Sequence, residues 1–192
     1  MSLHLLRTTG RCALLAIAAL FLAPALAQPT SPAPSGPTAE AYMAANGGTS
    51  IPAGRTEIDG KHMACGAAAT VLDPHYGDFG GSYPGFVVLN PNLFVGLATP
   101  VKLWIFSHEC AHQTVGADEV KADCVAVQRG RREGWLTQEG LSQICEFMRP
   151  ARADQSHFTG TERCALMQQC FAQAAAADHS KTQSVKTADH VR

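Results

Sequence analysis

The chain has 192 residues, 46% of them hydrophobic, with 15 Lys and Arg set against 16 Asp and Glu. That length suits one domain of ordinary size. The near-neutral balance gives no reason to expect nucleic acid or an anionic membrane surface as a partner.

Residues 1–27 read as a signal peptide. Arg7 and Arg11 form a basic n-region, residues 12–22 an apolar h-region too short to span a bilayer, and Ala25-Leu26-Ala27 an A-x-A cleavage site before Gln28. No Cys follows the cut, so a lipid acceptor is lacking. The mature chain, with 13 basic and 16 acidic residues (−3), is expected to be exported, periplasmic or secreted, with no membrane span. Of seven cysteines, all but Cys12 remain: Cys65, Cys110, Cys124, Cys145, Cys164 and Cys170. An even count in an oxidising compartment predicts disulfides with open connectivity, and makes thiolate ligation of a metal the weaker reading.

Residues 28–45 form a linker rich in Pro, Ser and Ala, residues 46–174 the domain, and residues 175–192 a disordered tail. Asp59-Gly60 predicts a type I′ turn between strands at 56–58 and 61–63. The alanines of 65–71 fit strand or helix, and 73–85 is a loop dense in Gly, Pro and Asp. The clearest strand is 85–91, stopped by Asn90-Pro91.

Thr99-Pro100 supplies an N-cap and a Pro at the first helical position for a helix over 101–114. Val101, Leu103, Trp104, Ile105 and Phe106 make it a buried helix, and it carries His108-Glu109-Cys110-Ala111-His112. His108 and His112 lie one turn apart on one face, a spacing at which two imidazoles hold one Zn²⁺. Glu109 sits at the edge of that face, where a general base acts on a zinc-bound water. The plainer alternative is a chance pair of histidines in a chain that has 8, but buried polar side chains are costly without a partner.

Three more helices follow. One over 118–130 carries Val120, Cys124 and Val127 on one stripe. The next, over 137–148, carries Leu141, Ile144, Cys145 and Met148 and is closed by Pro150. The last is opened by a capping box, Thr159-Gly160-Thr161-Glu162, with Met167, Cys170 and Phe171 inward. A catalytic zinc takes three protein ligands and an open position. Glu119 supplies the third ligand on this count, with Asp118 competing for the place. Asp123, one turn beyond Glu119, can take the outer N–H of a metal-bound histidine. The plainer reading of these carboxylates is a solvated acidic start to a helix.

His108-Glu109-x-x-His112 followed by Glu119-x-x-Ala122-Asp123 resembles the gluzincin metallopeptidase core, H-E-x-x-H with E-x-x-A-D. It is similar to the CaaX-processing and heat-shock membrane zinc peptidases and their soluble relatives. The resemblance spans residues 86–171. It implies an α+β, single-domain zincin-like fold with a short N-terminal sheet, an edge strand above the H-E-x-x-H helix and a helical C-terminal half. It further implies a zinc endopeptidase with Glu109 as base, binding an extended peptide along Phe86–Leu89. Ser156-His157-Phe158-Thr159-Gly160-Thr161-Glu162-Arg163 resembles the family's later segment, with Phe158 where the family has Pro. That likeness implies His157 as a helper at the oxyanion and Arg163 as support behind the ligands. The short gap between His112 and Glu119 implies a tight hairpin turning at Gly116, which Cys110 and Cys124 would staple. Two readings without turnover stand beside it: a zinc-stabilised binding or inhibitor module, and a disulfide-built envelope protein with a vestigial site.

Overall fold

A computed structural model describes residues 36–155 and 157–189, with backbone alone for 175–189. The expected signal peptide lies outside these residues. The first element, α1 (Ala39–Asn46), is capped by Thr38, whose hydroxyl accepts the Ala41 N–H at 3.2 Å. It lies inside the stretch expected to be linker, so the folded region starts before residue 46. Tyr42 is the reason: its ring is buried against Tyr83 and Phe86, and its hydroxyl donates to Asp73 Oδ2 at 2.7 Å.

Six short strands follow: β1 (Thr49–Ile51), β2 (Thr56–Ile58), β3 (Lys61–Met63), β4 (Ala69–Leu72), β5 (Gly80–Tyr83) and β6 (Phe86–Leu89). β2 and β3 pair as the expected hairpin, with Asp59 at φ 49° and Gly60 at φ 76°, the positive values a type I′ turn needs. The other four form one sheet in the order β1-β4-β6-β5, with β4 and β6 parallel and the other pairs antiparallel.

This order corrects the expectation for Phe86–Leu89. β6 is an inner strand hydrogen-bonded on both sides and cannot accept an added peptide. All four of its residues are buried. Phe86 and Val88 face Tyr42 and Val71; Val87 and Leu89 face the main core with Phe106, Leu141 and Met167. The edge is β5, a stretch the sequence presents as loop. Its glycines are steric necessities. A Cβ on Gly81 would run into the Tyr76 ring, and one on Gly80 would stand 2.9 Å from Glu109 Cγ.

The helices are α2 (Thr99–Val115), α3 (Glu119–Arg132), α4 (Gln138–Met148) and α5 (Gly160–Asp189). Ala98 holds the α2 cap position expected for Thr99, and Thr99 is the first helical residue. Its hydroxyl donates to Asp59 Oδ2 at 2.8 Å, and Lys102 Nζ reaches the same carboxylate at 3.0 Å, fastening the hairpin to the helix. Thr137 caps α4, and the Thr159–Glu162 capping box closes reciprocally at 2.9 and 3.3 Å. α5 carries its helix through Ala175-Ala176-Ala177 into the stretch expected as a tail, a run of the strongest helix former. The fold is thus mixed α+β: a small sheet with α1 on one face and α2, backed by the other helices, on the other. Among the described residues no helix is long and apolar enough to cross a membrane.

The cysteines pair as Cys65–Cys110, Cys124–Cys170 and Cys145–Cys164. The expected Cys110–Cys124 staple is not among them. Cys110 lies two residues beyond His108, about 200° around the helix, so it points away from the face that α3 covers. It meets Cys65 just after β3 instead. Cys124 faces α5. Three disulfides fit an oxidising compartment.

Candidate metal centre

α2 and α3 form a tight antiparallel pair turning at Gly116, whose φ of 65° suits glycine. The turn sets Glu119 opposite the two histidines. Nε2 of His108 and Nε2 of His112 are 3.1 Å apart, and Glu119 Oε2 lies 3.0 Å from the first and 3.5 Å from the second. Ligands at about 2.0–2.1 Å around a tetrahedral ion are spaced by about 3.3 Å, so these separations fit a shared metal. His108, His112 and Glu119 form the cluster able to hold one.

The outer nitrogens explain the aim of both rings. His108 Nδ1 faces Asp123 Oδ1 at 2.9 Å, and His112 Nδ1 faces the Gly116 carbonyl at 2.5 Å. Each donates its N–H outward, so each Nε2 turns a lone pair inward, as metal-bound histidines do. Glu119 Oε2 is accordingly buried without a hydrogen bond. Lone pairs on two nitrogens and a carboxylate, drawn together out of water, could hold a cation between them. In the metal-free site a proton on His108 serves in part. Burial opposes that charge, but the Asp123 and Glu119 carboxylates outweigh it and raise the pKa to about 9. One proton cannot satisfy all three groups, whereas a metal ion can.

Asp123 is itself held. Arg163 donates to it twice, Nε to Oδ2 at 2.7 Å and Nη2 to Oδ1 at 2.8 Å, and both side chains are buried. Burial alone would raise the Asp123 pKa; the Arg163 and His108 hydrogen bonds hold it below the usual range. Glu119 is lowered in the same way, burial being outweighed by His108 first. Asp118 is not a ligand. It caps α3, accepting the Lys121 N–H at 3.0 Å and pairing with Lys121 Nζ at 2.7 Å.

Glu109 stands beside this cluster and outside it. Burial pushes its carboxyl above the usual range, against the pull of His108 and His112. His157 is also brought in, from the loop between α4 and α5. Its Nε2 lies 3.1 Å from Glu119 Oε2, and its Nδ1 lies 3.1 Å from both oxygens of Asp154. Cavities of about 480 and 460 Å³ open on either side of Glu109, one walled by Gly80, Trp104, Phe147 and His157, the other by Ser82, Tyr83, His112 and Gly116.

Three contributors were not visible in the sequence. Gly80 leaves room for Glu109. Asp154 holds the His157 ring. Gln113 ties α2 to the sheet edge, its amide N–H donating to Ser82 Oγ at 2.6 Å and the Tyr83 carbonyl at 2.8 Å, its oxygen accepting the Gly85 N–H at 3.0 Å. Its place directly after His112 was the one available signal.

Comparison with known protein families, with curated proteins and with solved structures finds no match to this chain.

Proposed function

We propose that this protein is an exported zinc-dependent endopeptidase of zincin-like fold. The observation that carries the reading is Glu109: a carboxylate with a raised pKa, next to His108 on α2, that takes no part in holding the metal cluster. A binding or structural module needs His108, His112 and Glu119 but has no use for that fourth group.

The donor set of two imidazoles and one carboxylate favours Zn²⁺, which would supply a Lewis acid and acidify a water at its open position. Glu109 would act as the general base, taking a proton from an attacking water and passing it to the leaving amine. Asp123 and Arg163 keep the His108 ring fixed. His157, held by Asp154 at Nδ1 and turned toward the metal cluster at Nε2, is the residue proposed to assist at the developing oxyanion.

Substrate adds to β5 rather than β6. The Asn90 N–H bonds to the Phe79 carbonyl, so in this antiparallel register the bonded pairs are Gly81–Val88 and Tyr83–Phe86. The N–H and C=O groups of Gly80 and Ser82 therefore point to the open edge, alongside Glu109. An extended peptide bonded there passes Glu109, which lines both cavities.

Metal analysis combined with peptide hydrolysis tests the reading. One zinc per chain is expected, and Glu109→Gln should keep zinc and fold while losing nearly all hydrolysis. A Glu109→Gln protein that cleaves at the wild-type rate ends the mechanism. A wild-type protein that binds zinc and cleaves no peptide returns the module reading.

A further inference from the structure

The three cross-links differ in what can reach them from solvent. Cys65 and Cys170 are buried in the core, so the first two disulfides each have one cysteine shielded by packed side chains. Cys145 and Cys164 are both only half-buried. Their disulfide stands in the wall of a surface cavity of about 440 Å³ between α4 and α5, with Ser142, Arg149 and Gln168 around it. Arg149 pairs with Glu146 at this wall, both exposed, so the approach is polar and wet. An attacking thiolate needs open access to one sulfur, and exposed disulfides are accordingly the labile ones.

The place of this pair in the chain gives its opening a consequence. The two cysteines are 19 residues apart, and the segment they close, 146–163, carries Asp154, His157 and Arg163. His108, His112, Glu119 and Asp123 all lie outside that segment. Arg163, in the first turn of α5 and next to Cys164, makes both of its hydrogen bonds to Asp123, which in turn faces His108. Without the cross-link, the ordering of this closed segment is no longer fixed in advance. Cys124–Cys170 still ties α3 to α5, so the opening is local and spares the fold.

Resting in part on the metal reading above, we propose that Cys145–Cys164 is a site of reversible exchange with a dithiol, and that its opening loosens the hold of Arg163 and Asp123 on His108. One thiolate of the dithiol attacks one sulfur of the pair, and the other sulfur leaves as a thiolate and takes up a proton. The second thiol of the reagent then breaks the mixed disulfide. Two electrons and two protons have passed to Cys145 and Cys164, and the dithiol is oxidised to its own disulfide. A metal on His108 is held more tightly in the oxidised protein than in the reduced one.

The test begins with oxidised protein in graded dithiothreitol under native conditions, alkylated at intervals and mapped by mass spectrometry. Cys145 and Cys164 should be labelled at least about tenfold faster than the other four paired cysteines. Cys145→Ser/Cys164→Ser then stands for the open state without adding thiols that bind zinc. In metal-free protein the Arg163 Nε–H, followed by ¹⁵N NMR, reads the linkage directly. Its exchange with water should quicken at least about tenfold in the double variant, and reoxidation of dithiothreitol-treated wild type should restore the original signal. Zinc affinity, by competition with a dye, should fall about 10–100-fold, and that loss should vanish where Arg163→Met is already present. Earlier opening of either other disulfide overturns the inference, as does an Arg163 signal unchanged in the double variant. An altered Arg163 signal with zinc affinity unchanged overturns the link to His108. Oxidised protein that takes up no zinc ends the metal reading, while the labelling order and the Arg163 signal still decide the inference.

Discussion

Asp123 carries two duties that a pair of variants can separate. Its carboxylate fixes the His108 ring at 2.9 Å and neutralises Arg163 through bonds of 2.7 and 2.8 Å, all three side chains being buried. Asp123→Ala strands the guanidinium, and breaking a buried pair in this way costs about 3–5 kcal/mol. At about 2–4 °C per kcal/mol for a domain of this size, Tm of the chelator-treated protein should fall by about 6–20 °C. The metal suffers differently. A ligand ring that has lost its outer acceptor weakens zinc binding by about 10–100-fold. Adding Arg163→Met to Asp123→Ala removes the stranded charge and should restore most of the stability, while zinc affinity stays low. The assays are thermal unfolding in chelator and competition against a zinc-binding dye. The reasoning fails if Asp123→Ala melts with wild type, or if the double variant regains wild-type zinc affinity.

Because the His108 pKa is raised to about 9 from its ordinary 6.5, its ion pairs stabilise the metal-free fold fully below about pH 6.5 and fade as pH rises through about 9. Melts of chelated protein should therefore decline between about pH 7 and about pH 10, and zinc affinity should rise about tenfold per pH unit over the lower part of that window, as the metal displaces the proton. Glu119→Ala should abolish stoichiometric zinc binding. Asp118→Ala should leave it intact and cost about 0.5–2 kcal/mol of stability as a lost cap, a contrast that zinc titration and unfolding curves read directly. Gly80→Ala brings a methyl to 2.9 Å from Glu109 Cγ, so hydrolysis should drop at least about tenfold with zinc content unchanged. Retained activity would remove the sheet edge from the site.

The metal group was legible because its chemistry is local. A one-turn spacing on a buried helix fixes His108 and His112, the ligand count reaches Glu119 seven residues after His112, and Asp123 follows one turn later. Capping decided what counting could not: Asp118 spends its carboxylate on the Lys121 N–H. The sheet edge was illegible because Gly80-Gly81-Ser82 has the composition of a loop. It is a strand on account of neighbours distant in sequence, Tyr76 on one face and Glu109 on the other. Phe86–Leu89 shows the converse. A short apolar run reads as a strand either way, and only tertiary pairing tells an inner strand from an edge. Disulfide partners were likewise hidden, since Cys110 and Cys124 are close in sequence but turn to different neighbours.

Each cross-link, finally, sits one residue along the chain from a member of the site. Cys110 follows Glu109, Cys124 follows Asp123, and Cys164 follows Arg163. Oxidation therefore clamps the backbone beside Glu109, beside the carboxylate that steadies His108, and beside the arginine that steadies the carboxylate. On the proposed reading, maturation would acquire an order from this: thiols first, metal afterwards. A chain whose thiols are still reduced lacks all three clamps, so on the reading proposed above the group that could take up an ion would be completed only once those thiols are oxidised.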